Sequence, residues 1–270
     1  MKTIRRILLK ILNHKLFRHM KDEYYLKLLF FAKTGDKLNL KNPKMYNEKI
    51  QWLKLNDYKE FYTNIVDKLE VRKFVIEKIG EKYLIPLIAV YSNEEEIDFH
   101  SLPEKFVIKT NHGSGAIIIC KDKTQLDFDL VRKRIKNWLN KNWFWFGRAY
   151  PYKNIKPKVI VEEFMEDDFG NPPFDYKIFC FDGEPKVIVV DIDRFKNHRR
   201  NFYNLNWEFI DVETDHPNDK NIVIEKPEKL SEMLDLSRKL SEDFKHARID
   251  LYIVKNEIKF GEITLYPWSG

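Results

Sequence analysis

Along the first twenty residues, Ile4, Ile7, Leu8, Ile11 and Leu12 recur at helical spacing, while Arg5, Arg6, Lys10 and Lys15 fall mostly on the other side. The pattern predicts a basic amphipathic helix over residues 1–20. Asn42-Pro43 interrupts the periodicity, and "MYNEKIQWLKLND" resumes it as a second helix. A third, charged helix is expected over about 67–79, closed by Gly80 as a C-terminal glycine would close it. Beyond that point the period shortens. "YLIPLIAVY", "KFVIKTN", "AIIICKD", "KVIVEEFM", "DYKIFCFDG", "PKVIVVDID", "RIDLYIV" and "IKFGEITLY" are rich in Val, Ile, Phe and Tyr and predict eight strands. Two longer helical stretches, near 126–142 and 227–244, interrupt them. Runs of strands with a few helices argue for an α+β or mixed α/β protein in two lobes.

Composition narrows the class. With 270 residues, 43% of them hydrophobic, the chain can bury a sizeable core. No apolar run reaches the roughly 18 residues of a membrane span, and no signal peptide is visible. Cys120 and Cys180 lie inside apolar strands without metal-ligand spacing, which predicts two buried thiols in a reducing cytoplasm. Charge is uneven. Residues 1–50 hold 13 Lys and Arg against 4 Asp and Glu, leaving 35 against 38 for the rest. A basic front end suggests an acidic substrate or an anionic membrane surface. Nucleic acid is disfavoured, because no zinc-finger or RNA-recognition signature accompanies the charge. The first helix either docks on its own core or rests on anionic lipid at the inner membrane surface.

Candidate chemistry starts at the last predicted hairpin, "ARIDLYIVKNEIKFGEITL", with its turn at Lys255-Asn256. It brings Asp250 and Glu262 near each other, on one face if the register permits. Two such carboxylates repel unless a cation or proton lies between them, and Mg²⁺ with phosphate oxygens and water is the natural occupant; two solvated carboxylates are the plainer alternative. "FVIKTNHGSGAIIIC" offers Lys109 and a glycine loop, His112-Gly113-Ser114-Gly115, suited to phosphate but equally to an ordinary hairpin. "VIVEEFM" can meet an adenine with backbone and apolar groups or simply end a strand. "FDYKIF" puts Asp175 and Lys177 on one face, and "VVDIDRF" ends at Asp193-Arg194.

Taken in order, these segments resemble the ATP-grasp superfamily, and more closely its TupA-like branch, associated with bacterial teichuronopeptide and surface-polysaccharide biosynthesis. The resemblance runs from "NPKMYNEKIQWLKLND" onward. It is carried by "DKLEVRKFV", "YLIPLI", "FVIKTNHGSG", "IICKDK", "DYKIFCFDGEPKVI", "RIDLYIV" and "FGEITLYP". It implies an α+β ATP-grasp fold, two lobes clasping ATP behind a helical basic region. Residues 1–60 would be that region, 61–158 the small lobe with its preceding helix, and 159–270 the large lobe with the metal site.

The resemblance also implies roles. Lys68 and Lys109 correspond to lysines that hold ATP phosphates, and His112, Gly113, Ser114 and Gly115 to the phosphate-covering loop. Glu162, Glu163 and Met165 correspond to the adenine hinge, with Asp175 toward the ribose. Lys177, Arg194 and Arg248 resemble the catalytic cations. Asp250 and Glu262 resemble the carboxylates for Mg²⁺, two ions in the family's manner, and Thr264 stands where many relatives place an Asn ligand. A family tail follows the counterpart of "TLYPWSG", so its absence after Gly270 means either a dispensable tail or an incomplete site.

The activity implied is ATP-dependent carboxylate–amine ligation through an acyl-phosphate, on a uronic-acid sugar or nucleotide-linked uronate with a small amine. A sugar kinase or other polysaccharide-modifying transferase using the same site, and a non-catalytic ATP-grasp-like partner, stay open.

Overall fold

The computed structural model describes residues 2–12, 14–167, 170, 172–192 and 197–270. The chain begins with helices α1 (Lys2–Leu12), α2 (Asp22–Thr34), α3 (Tyr46–Asn56), α4 (Tyr62–Val66) and α5 (Val71–Lys78). Leu12 is buried with Tyr25, Leu26, Leu29 and Phe30 of α2, and Leu8 and Leu9 pack against that cluster. Arg5 donates through Nε to the Ala32 carbonyl (3.1 Å), placing a cation at the C-terminal end of α2, where the helix dipole favours one. The single helix expected over residues 1–20 is shorter: α1 stops at Leu12, and a 3₁₀ turn over Lys15–His19 follows, capped by His14. The helix expected from 67 also starts later. It begins at Val71, after a turn in which Asp67 Oδ1 accepts from the Leu69 and Glu70 amides, and Gly80 at φ 104° closes it.

β1 (Leu87–Tyr91), β2 (Phe106–Thr110), β3 (Ile117–Cys120) and β4 (Val159–Glu163) form an antiparallel sheet in the order β1-β4-β2-β3. Phe106, Ile108, Ile118, Cys120, Val159 and Val161 bury one face against Val131 and Ile135 of α6 (Phe128–Leu139). α7 (Phe144–Gly147) then leads back toward the helical front end. There Arg148 donates to the Phe17 and Arg18 carbonyls.

The second sheet has six antiparallel strands: β5 (Asp175–Phe181), β6 (Glu184–Ile192), β7 (Arg199–Tyr203), β8 (Phe209–Ile210), β9 (His246–Val254) and β10 (Glu257–Thr264). Their order is β10-β9-β5-β6-β7-β8. Ile178, Cys180, Ile188, Val190, Ile249 and Leu251 bury one face with Met233, Leu236 and Leu240 of α8 (Leu230–Ser241). Each such side chain contributes about 1.5–3 kcal/mol on burial. β7 and β8 were not expected, since "RRNFY" lacks the apolar alternation of a strand. Arg200 and Asn201 are nevertheless buried there, satisfied by Asp191, Asp215 and the Asp219 carbonyl.

A division at residue 158 would cut the first sheet, because β4 is inserted between β1 and β2 by backbone pairing. The small-lobe boundary falls after Glu163. At the other end, Ile65, Val66, Val71 and Val75 belong to the core of the six-stranded sheet, so α4 and α5 go with the large lobe. Both cysteines are free and buried, and no helix among the described residues is long and apolar enough to cross a membrane.

Candidate active site

With α8 on one face of the large sheet, the period of two turns the alternate residues to the other face: Asp175 and Lys177, Asp191, Arg248 and Asp250, and Glu262 and Thr264. Lys177 stands opposite Asp250, Asp175 opposite Asp191, and Asp250 opposite Glu262. The last pairing depends on a bulge. Lys255 and Asn256, both at positive φ, make a two-residue turn whose straight register would set Asp250 against Gly261 and turn Glu262 to the core. An irregularity between Phe260 and Glu262 adds one residue and turns Glu262 to the polar face. Gly261 is required there: a Cβ would meet the Tyr252 ring at 2.8 Å and the Asp250 carbonyl oxygen at 3.0 Å.

Charges on this face interlock. Arg248 donates to Asp250 Oδ1 through Nε (2.6 Å) and to Asp250 Oδ2 through Nη2 (2.7 Å), and the same Nη2 reaches Glu262 Oε1 (2.9 Å). Lys68 Nζ lies 3.1 Å from Glu262 Oε2 and donates to the Gly113 carbonyl at 2.6 Å. Lys177 contacts Asp175, and lies 3.4 Å from both Asp191 Oδ2 and Asp250 Oδ2. Burial pushes the Asp250 carboxyl up to about 6 against the pull of Arg248 and Lys177. Burial also works against the charge on Glu262, but Lys68 and Arg248 outweigh it and hold that carboxyl well below the usual range. Lys177 behaves alike: burial disfavours its ammonium, yet Asp250, Asp175 and Asp191 together raise its pKa.

Across a cleft of about 1130 Å³, the small sheet presents Val107, Lys109, Ile117, Ile119 and Glu162. Lys109 Nζ meets Glu162 Oε2 at 2.6 Å, and Arg72 approaches Glu162 Oε1 at 3.8 Å. Glu163, Phe164, Met165, Asp175, Asp191 and Tyr252 line the same cleft, so apolar and charged groups from both lobes converge on it.

The expected loop divides. Gly113 is pinned by Lys68 and lies so close to the Trp143 indole that a Cβ would overlap it, at 1.8 Å. Ser114 is exposed, and Gly115, at φ 74°, faces open space. His112 is buried away from the cleft, its Nε2 3.1 Å from the Lys141 carbonyl, and burial lowers its pKa. Arg194 lies outside the described residues. Thr264 donates its hydroxyl to Glu262 Oε1 at 3.3 Å. Sequence reasoning missed Asp191, Arg200 and Arg72. The signal for Asp191 was present: in "VVDID" it shares a strand face with Val189 and stands opposite Asp175.

β10 is anchored just beyond the site. Lys54, 4% exposed, offers its ammonium to the Gly147 carbonyl (2.9 Å), the Ser269 carbonyl and hydroxyl (both 2.8 Å) and Gln51 Oε1 (3.1 Å). This seats the turn Pro267–Ser269, and Trp268 then stacks over Arg200, 5.0 Å from ring centre to guanidinium carbon.

The donor chemistry suits a hard divalent cation. Oxygens of Asp250 and Glu262 already converge on one cationic nitrogen, Arg248 Nη2, and Mg²⁺ asks for one or two carboxylates beside phosphate and water. No group of three or more His, Cys, Asp or Glu is arranged for a metal among the described residues.

Two antiparallel lobes enclosing a cleft, with paired lysines, a buried arginine and two opposed carboxylates, define an α+β ATP-grasp protein. The TupA-like ATPgrasp family matches residues 48–270, and the chain belongs to that family. None of the curated proteins matches it. Among solved structures, D-alanine–D-alanine ligase from Bacillus anthracis is 19% identical, with TM-score 0.47, covering 76% of this chain and 58% of its own. N5-carboxyaminoimidazole ribonucleotide synthetase in its ADP complex is 15% identical, with TM-score 0.48, over 82% of this chain and 51% of its own. The L-amino acid ligase from Bacillus licheniformis is 12% identical, with TM-score 0.47, over 93% and 57%. The chain thus spans little more than half the length of each.

Proposed function

We propose that the protein is an ATP-dependent carboxylate–amine ligase that activates a substrate carboxylate as its acyl-phosphate and passes the acyl group to an amine. The observation carrying this reading is the sheet face on which Lys177, Arg248 and Lys68 surround Asp250 and Glu262 at the edge of the interlobe cleft. Fixed cations of this kind stabilise negative charge as it develops on phosphoryl and acyl oxygens, without reorganising at the moment of reaction. Lys109 lines the cleft from the small lobe, and Lys68, in the segment after α4, bridges the Gly113 carbonyl and Glu262; both are suited to a polyphosphate. Met165, Ile119 and Val107 supply apolar surface for a base. Asp250 and Glu262 would hold Mg²⁺, which when bound neutralises phosphate charge. The chain's own part is to bind, orient and neutralise; no side chain here is placed as a covalent nucleophile.

The substrate class we propose is an acidic sugar, a uronate or nucleotide-linked uronate of surface-polysaccharide biosynthesis, with a small amine as acceptor. It is supported by family membership and by the basic front end. The test is an ADP-release screen of uronates and nucleotide-linked uronates crossed with amines and amino acids. A ligase releases ADP only when carboxylate and amine are both present. Release with a hydroxyl acceptor alone would instead identify a kinase. ATP binding without any turnover would identify a non-catalytic partner.

A further inference from the structure

The apolar arc of α1 is wider than the core it covers. Leu8, Leu9 and Leu12 face α2, but Ile4, Ile7 and Ile11, on the adjoining stripe, are 66%, 52% and 44% exposed, and Leu16 in the following turn is 76% exposed. Lys10, Ile11, His14, Leu16 and Phe17 frame a shallow hollow of about 410 Å³ at the end of this stripe. Arg6, Lys10 and Lys15 are exposed around it, and none has an ion pair among the described residues. Over residues 1–21 the chain has seven Lys and Arg and no Asp or Glu.

We infer that residues 3–12 and 14–19 form a docking surface for an anionic lipid bilayer, with Ile4, Ile7, Ile11 and Leu16 entering the acyl boundary and Arg6, Lys10 and Lys15 at headgroup level. Leaving four large aliphatic side chains in water on one stripe is unfavourable by the area they expose, and a bilayer interface removes that area while its headgroups meet the basic rim. Charge selects this occupant. A second copy would bring seven positive groups against seven, and a nucleic acid would satisfy the charge but leave the isoleucines in water. Arg148 ties the surface to the catalytic body by donating to the Phe17 and Arg18 carbonyls, so docking fixes the orientation of the whole protein.

The experiment is co-flotation of the full chain with vesicles of phosphatidylcholine alone and of phosphatidylcholine mixed with phosphatidylglycerol. Binding is expected on the mixed vesicles only, and raised salt should weaken it. Arg6→Gln with Lys10→Gln should lower the partition roughly 30-fold, at the usual contribution of a basic residue near an anionic surface. Ile7→Gln with Leu16→Gln should release the protein although every charge is kept. These side chains stand in water, so circular dichroism should remain that of the parent; a changed spectrum is met by repeating the test with Ile4→Gln. Equal binding to neutral vesicles, no binding to anionic ones, or undiminished binding of the apolar-to-Gln variants would overturn the inference. So would self-association in solution that Ile7→Gln abolishes while vesicles are ignored.

Discussion

Glu262 faces Asp250 because Gly261 is an extra residue in its strand. Without that bulge the two-residue turn would carry Glu262 to the hydrophobic face, among Ile249 and Phe260, and leave Asp250 opposite a glycine. The site's central pairing is therefore a matter of register, set by one residue without a side chain.

Gly261→Ala is predicted to destabilise the protein by about 1–3 kcal/mol, the usual cost of forcing a methyl group into a packed site. Its Cβ would meet both a ring and a backbone oxygen, and the latter cannot swing aside. Urea denaturation measures the loss; unchanged stability would show that the bulge relaxes freely.

Glu262→Gln keeps the shape of the side chain but removes a charge held by Lys68 and Arg248. ADP release should fall roughly 10²-fold or more, on the scale of a lost electrostatic group in an active site. Full turnover in a folded variant would remove Glu262 from the machinery.

His246 sets an acid limit on stability. Its Nδ1 lies 2.8 Å from the Cys180 carbonyl and its Nε2 2.9 Å from the Tyr46 hydroxyl. Burial pushes its pKa down to about 4. The unfolded chain, with an ordinary histidine near 6.5, then binds the proton that the folded chain refuses. The contribution, about 3 kcal/mol, is present above pH 6.5 and drains away as pH falls toward 4. Denaturation midpoints across that interval should slope downward with acid for the parent, and less steeply for His246→Gln.

Lys54→Met should cost about 1–3 kcal/mol by stranding the Gly147 carbonyl without a donor and leaving the Ser269 carbonyl to Gln51 Nε2 alone. It should also loosen the final turn, which limited proteolysis near Trp268 would reveal. Resistance equal to the parent's would show that the turn is held by other contacts.

Much of this arrangement is legible in the sequence. All eight predicted strands are found, because each carries β-branched or aromatic residues with the alternation of a half-buried sheet. Asp250, Glu262, Lys177 and Arg248 could be picked out for the same reason: a charge in an apolar strand draws attention. Asp191 fits that rule too and was passed over, whereas Arg200, its partner across β6 and β7, escapes it because β7 is not an apolar strand. A strand stabilised by such pairs has no hydrophobic period to find. Partition into lobes was equally hidden, because the sheet position of β4 follows from pairing with β1 and β2 rather than from chain order.

At rest, both oxygens of Asp250 and both of Glu262 are held by the protein's own cations, Arg248 and Lys68. A divalent ion would weaken the hold of those carboxylates on the arginine and the lysine by drawing their charge to itself. A polyphosphate would likewise weaken the hold of the arginine and the lysine on the carboxylates. Each guest thus eases the seat the other requires, and the resting face behaves as an ion exchanger that admits a salt more readily than either of its ions.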